Sequence, residues 1–312
     1  MNAIYGSTRQ YTTEITGRKL KQLGYRGNVN TLDMDGQSIA IVLDGNFYNQ
    51  SDSLCVSHLY QQHGIKCLQH LNGDFAFVLF DPYKQILFGA VDRLGIKPLF
   101  YSVCDGFEFS SQLLPLCIGN NYQIDSYARQ CYFALQYVPA PYSIINGVKK
   151  MKAGEYFIYD LKTKKLNIDK YWDLYDNTSA FTAPKMYEEA VETAQALIGD
   201  AVKIRLSQSQ KNGLFLSGGI DSSLISLFAS RNDNSLETYS VAFDESGFDE
   251  SVYSQQVSQH LGLVNHRVVC NWQKAQEIMQ NLNRYYDEPM GDASAIPTSF
   301  LCEKIFRNLS SM

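Results

Sequence analysis

Residues 214–226 read LFLSGGIDSSLIS. An apolar run ends in two adjacent glycines, and an aspartate set among serines leads into a second apolar run. The pattern reads as strand, tight loop and helix, and the chemistry of the loop decides what the surrounding domain is. A Walker A loop requires GxxxxGK followed by Ser or Thr, but Ile220 follows Gly219 and no lysine comes after it. A Rossmann fingerprint requires GxGxxG, whereas Gly218 and Gly219 are adjacent and no third glycine is in place. A hydrolase elbow requires GxSxG, and Ser217 is preceded by Phe215 and Leu216. What remains is strand, SGGxDSS, helix. Two residues without Cβ let the backbone approach an anion, and the helix N-terminus behind them aims N–H dipoles at it. Ser217, Ser222 and Ser223 add hydroxyl donors. Asp221 repels a phosphate unless a cation lies between them, so the loop predicts Mg²⁺ held by Asp221 and the phosphates. The plain alternative is a Gly-Gly turn with Asp221 as a helix cap.

Around this loop, strand and helix patterns alternate. From Lys185 apolar residues recur at Ala190, Val191, Ala194, Leu197, Ile198, Ala201 and Val202, one face of a long helix. Strand GLFLS (213–217), helix 221–230, strand ETYSVAF (237–243), helix 250–261, strand NHRVVC (265–270) and helix 273–286 follow. Strands alternating with helices predict a parallel sheet whose ligand site lies at the strands' carboxyl ends. Residues 1–175 have a different grammar: SIAIVLDG (38–45), GDFAFVLFD (73–81), ILFGAVD (86–92), PLFYSV (98–103), FEFSS (107–111) and EYFIYD (155–160) are short strands. Helix candidates there are few, mainly 52–63 and 126–133, so an antiparallel α+β domain is expected, with 171–184 as linker.

The 312 residues, 45% hydrophobic and 19% charged, suit two soluble domains. A net charge of −5 with no basic run longer than two lysines argues against nucleic acid and anionic membranes as partners. No apolar stretch reaches membrane-spanning length and the first ten residues lack a signal-peptide core, which places the chain in the cytoplasm. Seven cysteines without a CxxC pair read as reduced thiols. Cys55, His58, His63, Cys67 and His70 look superficially like metal ligands. On a helix over 53–63, however, His63 rotates off the face shared by Cys55 and His58.

SGGIDSS resembles the pyrophosphatase loop of the N-type ATP pyrophosphatases, a superfamily that cleaves ATP to AMP and pyrophosphate. Upstream, LKQLGYRGN (20–28), DGNFYNQ (44–50), LNGDFAFVLFD (71–81), VDRLGIKPLFY (91–101), FSSQLLPL (109–116) and YVPAPYSIINGVKKMKAGEY (137–156) resemble, in order, the glutaminase domain of glutamine-hydrolysing asparagine synthetases. Downstream, FDESVYSQQVSQHLGLVNH (248–266) and YYDEPMGDASAIPTSFLCE (285–303) are similar to the same family's synthetase domain. The resemblance implies an Ntn-hydrolase-like α+β sandwich over 1–175 and an α/β parallel-sheet ATP-pyrophosphatase domain over 184–312. It implies Leu216 and Val241 against adenine, Ser217, Gly218, Gly219, Asp221, Ser222 and Ser223 on the phosphates, and Mg²⁺ on Asp221. Asp287, Glu288 and Asp292 lie in a family motif near the substrate. The reaction implied is ATP-dependent activation of a carboxylate, aspartate's in the type enzymes, followed by amide formation with ammonia.

Several family features are missing. The family opens MCGI, its cysteine becoming the N-terminal nucleophile, but this chain opens MNAI, and the Asn2 amide cannot attack as a thiolate does. The NGEIYN segment becomes Asp44-Gly45-Asn46-Phe47-Tyr48-Asn49, which puts a carboxylate where an oxyanion donor belongs and Asn46 where the glutamine amine is held. The stretch between Gly27 and Asp44 is too short for the family's arginine-bearing strand, leaving Asp52 as the one glutamine contact. The glutaminase half is therefore expected to be inactive.

The chain also stops at Met312 before the family's second ATP loop, so it reads as a fragment or a product cut short. The helix LCEKIFRNL is expected to expose Ile305, Phe306 and Leu309. Alternatives to an ammonia-using ligase are a relative that uses its substrate's own amine, as β-lactam synthetases and lasso-peptide cyclases do, and a non-catalytic remnant or binding protein. The resemblance also leaves room for a homodimer.

Overall fold

The computed structural model describes residues 2–9, 12–23, 28–31, 38–48, 53–175, 184, 186–208, 211–243, 249 and 251–311. The chain forms two units, Met1–Phe181 with Tyr286–Gly291, and Thr182–Tyr285 with Asp292–Met312.

In the first unit the stretch GDFAFVLFD is strand β4, Gly73–Asp81, and it is buried on both faces. Its alternation sorts the side chains into two cores. Ala76, Val78 and Phe80 face one cluster, while Phe75, Phe77 and Leu79 face another. β4 lies in a five-stranded sheet of order β10-β9-β5-β4-β3, where β3 is Ala40–Phe47, β5 Ile86–Val91, β9 Glu155–Asp160 and β10 Lys165–Lys170. A second sheet has the order β2-β1-β7-β6-β8, with β1 Asn2–Ser7, β2 Asn28–Thr31, β6 Phe100–Ser102, β7 Glu108–Ser110 and β8 Val148–Lys150.

Ile4, Tyr101, Phe107 and Phe109 of the second sheet and its β6–β7 turn meet Val78, Phe157 and Tyr159 of the first. Helix α2, Ser53–His63, and the 3₁₀ turn Gly64–His70 cover the outer face of the first sheet through Val56, Tyr60, Cys67 and Leu68. Helices α1, Thr13–Leu23, and α3, Leu114–Cys117, cover the second through Leu23 and Leu116. The result is a four-layer sandwich, helix on sheet on sheet on helix.

One pairing departs from the antiparallel expectation. β1 and β2 pair in parallel, in register Asn2 with Asn28, and α1 is the crossover that parallel pairing requires. Lys19 of α1 is fully buried: its Nζ donates to Glu108 Oε1 at 2.6 Å and to the Pro115 carbonyl at 2.8 Å, and Tyr5 donates to the same carboxylate. Desolvation pushes its ammonium pKa down, against the pull of Glu108.

The Cys/His cluster separates. Cys67 is in the core, where burial pushes its thiol up to about 12. The rings of His63 and His70 meet at a tilt, with centroids 4.7 Å apart. Among the described residues no three His, Cys, Asp or Glu side chains converge as metal ligands.

The second unit is a parallel three-stranded sheet of order β11-β12-β13, with β11 Gly213–Phe215, β12 Glu237–Ala242 and β13 Val264–Val269. Between and around the strands run α5, Tyr187–Leu206, α6, Ile220–Asn232, α7, Ser251–Leu261, α8, Trp272–Met279, and α9, Ala295–Ser311; α4, Ser126–Leu135, belongs to the first unit. The helix expected over 273–286 ends at Met279, and a 3₁₀ turn spans Leu282–Arg284. Ile305, expected to be exposed, is half-buried near Gly213; the side chains of Phe306 and Leu309 lie outside the described residues. No described helix is long and apolar enough to cross a membrane.

Phe107 is fully buried and touches the rings of Tyr101, Phe109, Phe157 and Tyr159. Phe107→Ala is expected to destabilise the sandwich by about 3–5 kcal/mol, read as a lower urea midpoint.

Candidate nucleotide site

β11 ends where Leu216 N–H donates to the Tyr239 carbonyl at 2.9 Å, the last ladder bond before the loop. Gly218 then takes φ +88°, and a Cβ there would lie 2.6 Å from both Ser254 N and Tyr253 Cβ. The loop therefore presses its backbone against α7, a position no other residue can occupy without displacing that helix. Gly219 follows with φ −71° as the N-cap of α6 and supplies no side-chain cap. The first-turn amides of α6 are thus left to a ligand or solvent, the arrangement that binds anions.

The serines shape the loop. Ser217 and Ser222 hydroxyls lie 2.9 Å apart, Ser217 Oγ accepts from Gly219 N at 3.3 Å, and Ser222 Oγ donates to the Gly219 carbonyl at 3.2 Å. Asp221 is exposed in the first turn of α6. Ser223 departs from the expected set: it lines a groove with Leu227, Val257 and Leu261, and its buried Oγ has no hydrogen-bond partner among the described residues.

Beside the loop, at the carboxyl ends of β11 and β12, lies a cavity of about 350 Å³, within the range of small-molecule sites. Leu216, Ser217, Ser240, Val241 and Phe243 form one wall, and Ser294, Pro297, Thr298 and Leu301 form the other. The expected Leu216, Ser217 and Val241 are brought together. The sequence does not distinguish the residues of the wall contributed by α9 and the residue before it, although they lie within the motif stretch 285–303; only a long-range contact reveals them. A larger groove of 580 Å³ between α5 and α6 is lined mostly by carbon, with Arg205, Asn212 and Asp221 at its polar edge. The smaller cavity is the one at the strand ends, where parallel sheets hold ligands.

The acidic motif residues divide between the units. Asp292 stays in the second, accepting from Ser294 N at 2.8 Å and Ser294 Oγ at 2.7 Å, bonds that hold its carboxyl below the usual range. Asp287 and Glu288 belong to the first: Asp287 accepts from Leu113 N at 3.1 Å, and Glu288 accepts from Ile144 N at 2.7 Å and pairs with Lys150.

In the first unit, β1 and β3 lie against each other, which brings the strand of Asn2 to that of Asp44. Asp44 is buried and pairs with Lys97 Nζ at 3.3 Å. Buried Asp92 organises the turn that carries Lys97 by accepting from the Leu94, Ile96 and Lys97 amides, each at 3.0 Å. Asn46 is exposed on β3; Asp52 and the Asn2 side chain lie outside the described residues.

The two loop glycines should differ on substitution. Gly218→Ala meets both a left-handed φ and the α7 backbone, so a loss of at least about 1–3 kcal/mol is expected. Gly219→Ala, whose Cβ meets only Ser217 Oγ at 3.4 Å, should leave the thermal midpoint nearly unchanged.

Comparison with known proteins finds the Asparagine synthase family model over residues 193–311 and the Glutamine amidotransferase domain model over residues 35–172. Putative glutamine-hydrolyzing asparagine synthetase 2 of Methanocaldococcus jannaschii is 32% identical, the match covering 94% of this chain and 61% of the relative. Glutamine-hydrolyzing asparagine synthetase 1 of Bacillus subtilis is 27% identical over 94% of this chain and 49% of its own length. Amidase chry2 of Gibberella zeae is 28% identical over 83% and 40%. The chain thus spans between two fifths and about three fifths of these curated relatives. Two family models in consecutive order, and a relative similar across nearly the whole chain, lead to one conclusion: this chain matches a Glutamine amidotransferase domain followed by an Asparagine synthase domain, and along 94% of its length it is similar to a putative glutamine-hydrolysing asparagine synthetase.

Proposed function

We propose that the second unit is the ATP site of an amide-forming ligase that activates a carboxylate by adenylation. The observation that carries this reading is the uncapped start of α6, reached through a glycine pressed against α7 and set beside the cavity at the strand ends. Leu216 and Val241 pack against the adenine in this reading. Ser217, Gly218, Gly219 and Ser222 take the phosphates. The donor set fits a magnesium ion as well, since Asp221 puts an exposed carboxylate beside an anion cradle. Mg²⁺ there would be held by Asp221 and the phosphates and would supply charge neutralisation for the pyrophosphate leaving group. A carboxylate oxygen, aspartate's in the reading the family favours, attacks the α-phosphorus and pyrophosphate leaves. An amine nitrogen then attacks the activated carbonyl and AMP leaves. Asp292, beside Ser294 of the cavity wall, is the motif acid retained in this unit for substrate.

The nitrogen source follows from Asp44. Its carboxylate, at the position of the family's oxyanion donor, is neutralised by Lys97, and a paired carboxylate donates no hydrogen bond to a developing oxyanion. With Asn2 in place of a cysteine, the first unit keeps the fold and has lost glutaminase chemistry. The nitrogen then comes from free ammonia or from an amine on the substrate itself.

Titration with ATP should show binding that Mg²⁺ strengthens, and Asp221→Asn should abolish that magnesium dependence. ATP–pyrophosphate exchange across a panel of carboxylates identifies the activated substrate, and Asp221→Asn should lower any exchange by about 10²-fold or more. ATP binding that is indifferent to magnesium in the unsubstituted protein would overturn the assignment of Asp221. Incubation with glutamine should release no glutamate; release above background would overturn the loss of glutaminase activity.

A further inference from the structure

The left-handed turn at Gly218 depends on what stands behind it. A Cβ there would lie 2.6 Å from both Ser254 N and Tyr253 Cβ, so the first turn of α7 is the surface against which the loop is pressed. First turns fray readily, because their amides have no partners within the helix. In α7 that turn is tied to the sheet. Arg267, on the outer strand β13, donates from Nε to Ser251 Oγ at 2.8 Å and from Nη2 to Asp249 Oδ2 at 2.7 Å. The other Asp249 oxygen accepts from Ser251 N at 3.1 Å, which closes a ring of three bonds around the helix start. Ser254 Oγ then donates to the Ser251 carbonyl at 2.9 Å. Ser251 and Ser254 are buried, and the Asp249 side chain is only 15% exposed.

A guanidinium suits this clamp. Its planar fork reaches two acceptors at once, and the bond to Asp249 is charge-assisted. A lysine has one nitrogen and can hold one of them. The influence of Arg267 reaches the loop through the helix backbone from Ser251 to Ser254, so it is one of position rather than contact. Beyond Gly218 lie Gly219 and the uncapped N-terminus of α6, whose first-turn amides form the anion cradle. A cradle held in place before its ligand arrives spares part of the ordering entropy that binding would otherwise cost.

We propose that Arg267 is a positioning residue for the phosphate loop: by tying Asp249 and Ser251 to the sheet it fixes the first turn of α7, and that turn fixes Gly218. Clamp, helix and loop all belong to the second unit. The proposal rests on the reading of SGGIDSS as the loop that takes the phosphates of ATP.

The test compares the full chain with Arg267→Met, which removes both bonds, and with Arg267→Lys, which keeps the charge beside Asp249. In Arg267→Met, hydrogen exchange should rise in residues 251–254 and 216–223 together. Its affinity for ATP with Mg²⁺ should fall by about fivefold or more, while its affinity for adenosine, which carries no phosphate, stays unchanged. Arg267→Lys should lie between Arg267→Met and the unsubstituted chain. If Arg267→Met does not fold, Asp249→Asn, which keeps an acceptor for Ser251 N and removes the charge, supplies the same readouts. Faster exchange confined to 251–254, or an equal loss of ATP and adenosine binding, overturns the proposal. Absence of ATP binding in the unsubstituted chain overturns the functional reading alone, since exchange in 216–223 still decides whether Arg267 positions the loop.

Discussion

Gly218 has no room for a side chain because the backbone of α7 stands where a Cβ would go. That single close approach sets the geometry of the second unit. It lets β11 turn sharply into α6, leaves the α6 N-terminus without a side-chain cap, and places Leu216 and Ser217 at the cavity. Ser254, whose amide backs onto Gly218, is fully buried, and its hydroxyl turns inward to the Ser251 carbonyl at 2.9 Å. A larger residue at 254 would push α7 away from the loop. The small residues of α7 and the glycine of the loop are two sides of one packing requirement.

The first unit answers to a different constraint, the double burial of β4. A strand buried on both faces needs a partner layer on each, so the two sheets and two helix layers follow from one nine-residue run. Asp44 is tolerated in this setting because Asp92 holds the turn that delivers Lys97. The sandwich can thus keep its packing while the chemistry at its edge changes.

Legibility in sequence followed burial. GDFAFVLFD and EYFIYD are strands with the boundaries their alternation indicates. β10, KLNIDK, carries no strand signal because it is an edge strand with mostly exposed residues and lysines at both ends, the composition that protects edges and erases alternation. α1, TEITGRKLKQL, is obscured by Gly17 and by Lys19, a charged residue buried against Glu108 almost ninety positions away. The parallel β1–β2 pair has the same difficulty, since register between strands is not a local property. For the site, SGGIDSS was legible because its chemistry is contained in consecutive residues. The Ser294–Leu301 wall was not, because its role depends on where a distant helix packs.

Asp287 and Glu288 show why a motif can be recognised and its physical role still be misjudged. Two acids in a turn beside a proline suggest free carboxylates waiting for a substrate. In the folded chain each is already engaged by a backbone amide, Leu113 N or Ile144 N, and Glu288 also by an ammonium. A carboxylate satisfied in this way stabilises the position of its own backbone more than it attracts a ligand. The sequence stretch 286–298 is divided between the two units at Gly291. Its first half spends its charge on holding the chain in place, and its second half, relieved of that task, presents Ser294, Pro297 and Thr298 to the cavity. The same economy appears at Asp292, whose carboxylate orders the turn into α9 while remaining exposed. It is the most exposed of the three acids.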